Sequence, residues 1–257
     1  MPTSEIAVVD EADDLLGASF ARWAAGQGVP VVRHRLAGAA RAMTVVVAGS
    51  RVEVSPAWSL LLRPLRSPEP PASPDTRFGW SEAFATLWAA AALSGRPVVN
   101  RPDAWGWLSG LSASIVRNQR RAGLPVPAAE AYWHQLPPPG GYRYHQDLDT
   151  RQTAGDPAMI RFGRSRALPA TRGWEQVVVV GGEGFRVISA GAGDPDPVPA
   201  SLAVADRLSL SFATVSWAVP AGPGPAVLAQ VNPFPTLHEC RPVICQVFPA
   251  LLRRLLG

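Results

Sequence analysis

An unbroken apolar run, Ile6-Ala7-Val8-Val9, is followed by apolar residues at helical spacing and then by a second run from Val29 to Val32. The pattern predicts a buried strand over 5–10, an amphipathic helix through about residue 26 and another strand, an opening β-α-β. Residues 44–48 and 51–54 flank Gly49-Ser50 and predict a hairpin. Trp58 to Leu65 reads as a strand that carries Arg63. Residues 67–76 hold Pro68, Pro70, Pro71 and Pro74 and predict a non-helical loop. The helix expected over Ser81–Leu93 sets Trp80, Phe84, Leu87 and Trp88 at core-facing spacing.

Downstream, 96–100 predicts a short strand, and Asp103 can cap a helix that ends at Gly123. From Leu124 the chain turns proline-rich, which places a subdomain boundary near residue 124. The remainder predicts strands over 158–162, 175–180 and 184–189, with Gly181-Gly182 turning the last two. A helix over 201–208, strands over 211–219 and 226–231, and a closing helix over 242–256 complete the pattern.

Composition narrows the classes. Hydrophobic residues make up 47% and charged residues 17%, a globular balance. No apolar run approaches the roughly 20 residues that span a bilayer, and the first residues lack a secretion-signal pattern. Cys240 and Cys245 form neither a disulfide framework nor a CxxC site, so the expectation is two reduced thiols in a cytoplasmic protein. The net charge of +4 raises nucleic acid as a partner. The basic residues are all arginine, with no lysine in the chain, and they are scattered without a basic stripe, which argues against it. The turn after the first strand carries Asp10, Glu11, Asp13 and Asp14 with no glycine until Gly17; so acidic a turn repels phosphate and is not a dinucleotide loop.

Several pieces, in order, resemble the ATP-grasp superfamily and particularly its peptide-modifying carboxylate–amine ligases. These are Arg96-Pro97-Val98-Val99-Asn100-Arg101-Pro102, the junction Ala122-Gly123-Leu124-Pro125-Val126-Pro127, and the hairpin Val177-Val178-Val179-Val180-Gly181-Gly182-Glu183-Gly184-Phe185. The last is Leu210–Trp217 followed by Gln230-Val231-Asn232-Pro233-Phe234-Pro235, similar to the family's Glu-x-Asn-x-x-Pro strand end. The resemblance implies an α/β (α+β) fold, with residues 5–66 as a small preATP-grasp domain and two α+β subdomains beyond it, and the main division at 1–95, which includes a linking helix, and 96–257.

It also implies ATP and Mg²⁺ as cofactors, two lysines on the phosphates, and a Glu, an Asn and a further carboxylate on the metal. The first lysine would fall in Trp107–Ser112, which holds no cation. The second matches Arg161, whose planar fork can pair with phosphate, and Arg164 joins it as a nucleotide-binding candidate. On the metal, Asn232 remains, Gln230 replaces the Glu, and Ser216 replaces the other carboxylate. Mg²⁺ favours anionic oxygen ligands, so this set binds it poorly. Residues 163–174, with Arg164, Arg166 and Arg172, read as a solvated basic loop. His145-x-Asp147-x-Asp149 and His238-Glu239-Cys240 are secondary metal or catalytic candidates whose plain reading is exposed turn chemistry.

The leading expectation is therefore a degenerate, non-ligating ATP-grasp protein. It would act as a binding module for a catalytic partner protein or a peptide substrate, with a homodimer left open. The alternative is an active ATP-dependent carboxylate–amine ligase that uses Arg161 and its neighbours in place of lysine. An anion or nucleic-acid binder, marked by steep salt dependence, is a third class.

Overall fold

In the computed structural model, residues 5–63, 65, 72–102, 129–133, 142–146, 161–166, 171–188 and 196–257 are described. The helix expected to end at Gly123, the boundary near 124, and Asp147 and Asp149 lie outside them. The first part runs β1 (Ile6–Val9), α1 (Leu15–Gly26), β2 (Val31–His34), α2 (Leu36–Ala42), β3 (Thr44–Ala48), β4 (Arg51–Ser55), β5 (Ser59–Leu62), α3 (Pro74–Leu93) and β6 (Val98–Val99). Strands β2-β1-β5-β6 form one parallel sheet in that order. Its central strands are buried on both faces, which is why they read as continuous apolar runs. β6 is the edge strand of this sheet.

A three-stranded sheet follows, β7 (Ala129–Trp133), β8 (Tyr142–Gln146) and β9 (Arg161–Arg166), with β9 central. The chain then makes β10 (Thr171–Val180), β11 (Glu183–Ile188), α4 (Pro197–Arg207), β12 (Phe212–Pro220) and β13 (Val227–Asn232). It closes with the short α5 (Leu237–Cys240), a tight turn at Arg241–Val243, and α6 (Ile244–Leu256). Strands β11-β10-β12-β13 form an antiparallel sheet.

Three clusters of buried residues define the layers. One face of the parallel sheet (Ala7, Val9, Leu60, Leu62) packs on α2 and α3. Its other face (Ile6, Val8, Leu61, Val99) meets α1 and α6, and these helices also cover Val178, Val180 and Phe212 of the antiparallel sheet. The far face of that second sheet packs on α4 through Val204, Ala205 and Trp217. Helices α1 and α6 thus lie between two sheets. Phe20 and Phe248 meet edge to face there, with ring centroids 5.6 Å apart.

Several local expectations are corrected. α3 begins two turns earlier than Ser81, inside the proline segment. Ser73 caps it by accepting from the Thr76 N–H at 3.1 Å. Pro74 takes the first helical position, where its missing N–H costs nothing. Of the aromatics assigned to the core, Trp80 stacks on Phe84 (4.9 Å) and Leu87 is buried. Trp88 is 39% exposed and Phe78, one turn into the helix, 68% exposed, because a helix lying on a sheet buries only one face. α2 was not anticipated; its Leu-Ala-Gly-Ala-Ala-Arg-Ala is short and carries a glycine, and packing of Leu36 and Ala39 holds it. The closing helix starts at Ile244, not 242, after the capped turn α5, in which Thr236 and Glu239 form a capping box.

Polar side chains at the carboxyl ends of the parallel strands tie the two sheets together. Asn100, just past β6, donates from Nδ2 to the Phe212 and Pro233 carbonyls, each at 2.8 Å. Its Oδ1 accepts the Phe212 N–H at 2.7 Å. Removing this amide leaves a buried N–H and two carbonyls without partners. Asn100→Ala is therefore expected to lower the unfolding free energy by roughly 2–4 kcal/mol, read as a lower urea midpoint at an unchanged slope.

Candidate functional site

β10, β12 and β13 carry a continuous polar stretch on the face turned away from α4. Ser216 lies opposite both Gln176 and Gln230, and Thr214 lies opposite Asn232. Partners opposite one another in an antiparallel pair share a face, so these five side chains form one strip. It continues from the apolar patch of Val178, Val180 and Phe212 under α6. Gln176 Nε2 donates to Ser216 Oγ at 3.3 Å.

A bulge builds this strip. Trp217 pairs with Leu228, yet Ser216 pairs with Gln230, so one residue of β13 is extra. Simple alternation puts Gln230 on the same side as Leu228, against α4. The bulge re-aims it onto the polar face. The structure thus brings Gln230, Asn232 and Ser216 together on one face, and adds Gln176 and Thr214, which the sequence does not single out. Gln176 was detectable in principle as the polar residue that opens a run of four valines.

Every side chain of the strip is uncharged. The carboxylates in the described strands of this sheet are Glu175 and Glu183. Glu175 is buried in register with Trp217 on the α4 side, and Arg186 grips it through Nε at 2.8 Å and Nη2 at 2.6 Å. Glu183 pairs with Arg253 of α6 at 2.8 Å. Asn232 itself is committed locally. Its Nδ2 donates to the Glu239 carboxylate at 3.0 and 3.2 Å, and its Oδ1 accepts the Phe234 N–H at 3.0 Å. The partners fix the amide orientation, since a carboxylate can only accept and a backbone N–H can only donate. Thr214 Oγ1 is buried without a hydrogen-bond partner among the described residues. Hard Mg²⁺ needs several oxygen ligands, mostly anionic, and the strip does not fit it. No group of three or more His, Cys, Asp or Glu among the described residues could hold a metal.

Arg161 and Arg164 belong to the central strand β9. Arg161 lies opposite Trp133, and Arg164 opposite both Glu130 and Tyr144. The basic loop expected over 163–174 is corrected accordingly: Arg166 ends β9 and Arg172 lies in β10. Arg-Phe-Gly-Arg-Ser-Arg has too few apolar residues to announce a strand, and pairing on both edges makes it one.

The acidic turn after β1 is structural in part. Asp10 is fully buried; Arg33 Nε donates to it at 2.7 Å, and Arg35 Nη1 reaches it at 3.4 Å. A Cβ on Gly17 would collide with the Asp10 carboxylate, so only glycine admits this approach. Asp14 caps α1 by accepting the Leu16 N–H and receives Arg63 Nε at 2.7 Å.

These five layers, with a parallel sheet leading into an antiparallel sheet that carries the polar strip, form the ATP-grasp fold. The ATP-grasp ligase PsnB complexed with a minimal precursor superposes with a TM-score of 0.67 over 99% of each chain, at 17% identity. The macrocyclase MdnC from Microcystis aeruginosa MRC, bound with its precursor peptide MdnA, gives 0.68 over 98% of this chain and 99% of that one, at 11% identity. A RimK domain protein ATP-grasp from Sphaerobacter thermophilus DSM 20745 gives 0.58 over 99% and 100%, at 15% identity. No family model and no curated protein matches the sequence. Among the described residues, no helix is long and apolar enough to cross a membrane.

Two measurements follow from these environments. Burial, followed by the neighbouring Glu239, pushes the Cys240 thiol up to about 12, whereas Cys245 is exposed. At pH 8 only about one Cys240 in ten thousand is then a thiolate. A chromogenic disulfide should titrate one thiol per native chain and two after denaturation, which also removes Cys240 as a nucleophile. Burial likewise raises the Asp10 carboxyl above its ordinary 3.8, outweighing Arg33. The folded chain therefore holds this proton more tightly than the unfolded one. The resulting stabilisation is fully present below pH 3.8 and lost as pH rises through the folded value. In Asp10→Asn that component of the stability–pH profile should disappear.

Proposed function

We propose that this chain is a non-ligating ATP-grasp protein whose role is to bind a peptide, alone or for a catalytic partner, in a biosynthetic pathway. One observation carries the reading: the strip where the fold's metal carboxylates are expected holds Ser216, Gln230, Gln176, Thr214 and Asn232, all neutral. Losing two anionic ligands weakens a divalent-metal site by several kcal/mol. A triphosphate arriving without its metal would face only hydroxyls and amides on this strip. The peptide half of the reading is supported by fold neighbours of nearly the same length, PsnB and MdnC, each solved with a precursor. The two free thiols suit a reducing compartment such as the cytoplasm.

A second reading is an active carboxylate–amine ligase. It is favoured by the placement of Arg161, Arg164 and Arg166 on one central strand, and by the PsnB structures complexed with Mg and ADP. In it, arginine would replace the phosphate lysines.

Calorimetry of the chain with ATP and Mg²⁺ separates the two. The expected result is no binding tighter than about 1 mM; micromolar, metal-dependent binding overturns the non-ligating reading. Restoring the charges with Ser216→Asp and Gln230→Glu together should create metal-dependent nucleotide affinity at least about tenfold above the parent. If turnover is observed and Arg161→Ala leaves it unchanged, the arginine-substituted ligase fails in its turn.

A further inference from the structure

Nine large hydrophobic side chains stand exposed among the described residues, and six of them belong to two adjoining elements. Val46, Val47 and Val52 lie on the β3–β4 hairpin, and Phe78, Trp88 and Leu93 on α3, against which the hairpin packs. Such clustering marks a surface that meets a partner.

The composition of α3 points the same way. From Phe78 to Leu93 the helix carries one charged residue, Glu82, and two hydroxyls, Ser81 and Thr86. Both hydroxyls turn back on the helix: Ser81 Oγ donates to the Arg77 carbonyl at 3.0 Å, and Thr86 Oγ1 to the Glu82 carbonyl at 2.9 Å. A helix apolar on every side is normally covered on every side, yet α3 buries only the face that holds Leu87, Ala90 and Ala91. On the opposite face Phe78, Ala85, Ala89 and Ala92 follow at spacings of seven, four and three residues, which makes one continuous stripe. A large, projecting ring ends it; the rest is small, with Ala85 exposed and Ala89 and Ala92 half-buried.

This stripe is complementary to itself. Two copies of α3 laid antiparallel about a two-fold axis at Ala85 place each Phe78 over Ala92 of the other copy, large on small, as a self-matching interface requires. Alanine at the crossing lets the helix axes approach to about 8 Å. Charge agrees with the pairing. Helices α2 and α3 and the hairpin hold Asp75, Glu82 and Glu53 against Arg41, Arg51 and Arg77, a balance that gives a polyanion no hold. The two Glu82 residues stand about 9 Å apart along the seam, close to a screening length. Beyond the helix end lie Arg96 and Arg101, the latter occupied by the carbonyls of Ala91, Ala92, Ser94 and Arg96. Antiparallel packing brings Asp75 of the other copy to that basic end. A helix of this length is about 30 Å long and 10 Å wide, so the seam covers roughly 600 Å² over two copies. The hairpin valines carry it towards the roughly 1,000 Å² of a weak specific interface.

We propose that α3 and the β3–β4 hairpin form a two-fold interface with a second copy of this chain, α3 packing antiparallel on α3 about Ala85. Helices α2 and α3 cover the face of the parallel sheet opposite α1 and α6. The interface therefore lies away from the polar strip and holds for the non-ligating and ligating readings alike.

Sedimentation equilibrium of the full chain tests it. Between about 1 and 200 µM the mass should rise from 27.3 kDa towards twice that value, with a Kd on the order of 10 µM. Ala85→Glu sets like charges against each other at the axis and should raise Kd at least about tenfold; Phe78→Ala should do the same. Both side chains are exposed, so the thermal midpoint of the dilute, monomeric chain should stay unchanged. In a Cys245→Ser background, Ala85→Cys should give a disulfide-linked dimer under mild oxidation, because the two sulfurs meet at the axis. Arg22→Cys, on α1, should not. A mass that stays at 27.3 kDa throughout, a dimer that Ala85→Glu leaves intact, or one that Ala85→Cys fails to cross-link would each overturn the interface. So would a monomeric chain that binds phosphatidylglycerol vesicles through Phe78, which would assign the face to lipid.

Discussion

Burying a guanidinium is tolerable only where its donors find acceptors, and Arg63 finds them on both sides of the central seam. Asp14, at the start of α1, belongs to the parallel-sheet layer, while the Pro235 carbonyl belongs to the segment that leaves the antiparallel sheet. Its Cζ also lies 6.0 Å from the centre of the Phe212 ring, at the start of β12. Asn100 repeats the device one strand over, bonding Phe212 and Pro233. These two side chains set how the sheets meet, and the apolar contacts of α1 and α6 fill the space that remains.

That arrangement accounts for where chemistry can occur. The carboxyl ends of parallel strands are where open α/β sheets bind ligands, because loops rather than side-chain layers finish the surface there. Asp10, Arg35, Arg63 and Asn100 all follow strands of this sheet directly. Three of them are spent on holding the seam or the acidic turn together. Arg63 combines a structural role with a place in the lining of the cleft beside the β1–α1 turn, apart from the neutral strip on β12 and β13.

On the strip, Gln176 donates to Ser216 at 3.3 Å, and Gln230 beside them is likewise uncharged. Glu239, the nearest carboxylate in the chain to Asn232, is held by the Asn232 amide and by the α5 capping box. A carboxylate occupied by such donors orders the Phe234–Thr236 turn, and through Pro235 that turn reaches Arg63. These contacts serve the architecture.

Much of the fold was legible from hydrophobic pattern. Buried parallel strands such as Ile6–Val9, the Gly49-Ser50 hairpin and the valine run of β10 announce themselves because their burial or turn chemistry is local. Ser216 and Gln230 could also be named as neutral site candidates from the sequence, because they lie in segments whose order is legible. α2, the early start of α3 and the strand through Arg161–Arg166 were not legible, since neighbouring elements stabilise them against weak local preference. The bulge that turns Gln230 onto the strip, the Arg63–Asp14–Pro235 bridge and the cleft beside it belong to the tertiary structure alone. They join residues up to 172 positions apart, and no periodicity along a chain encodes which distant carbonyl will meet a buried guanidinium.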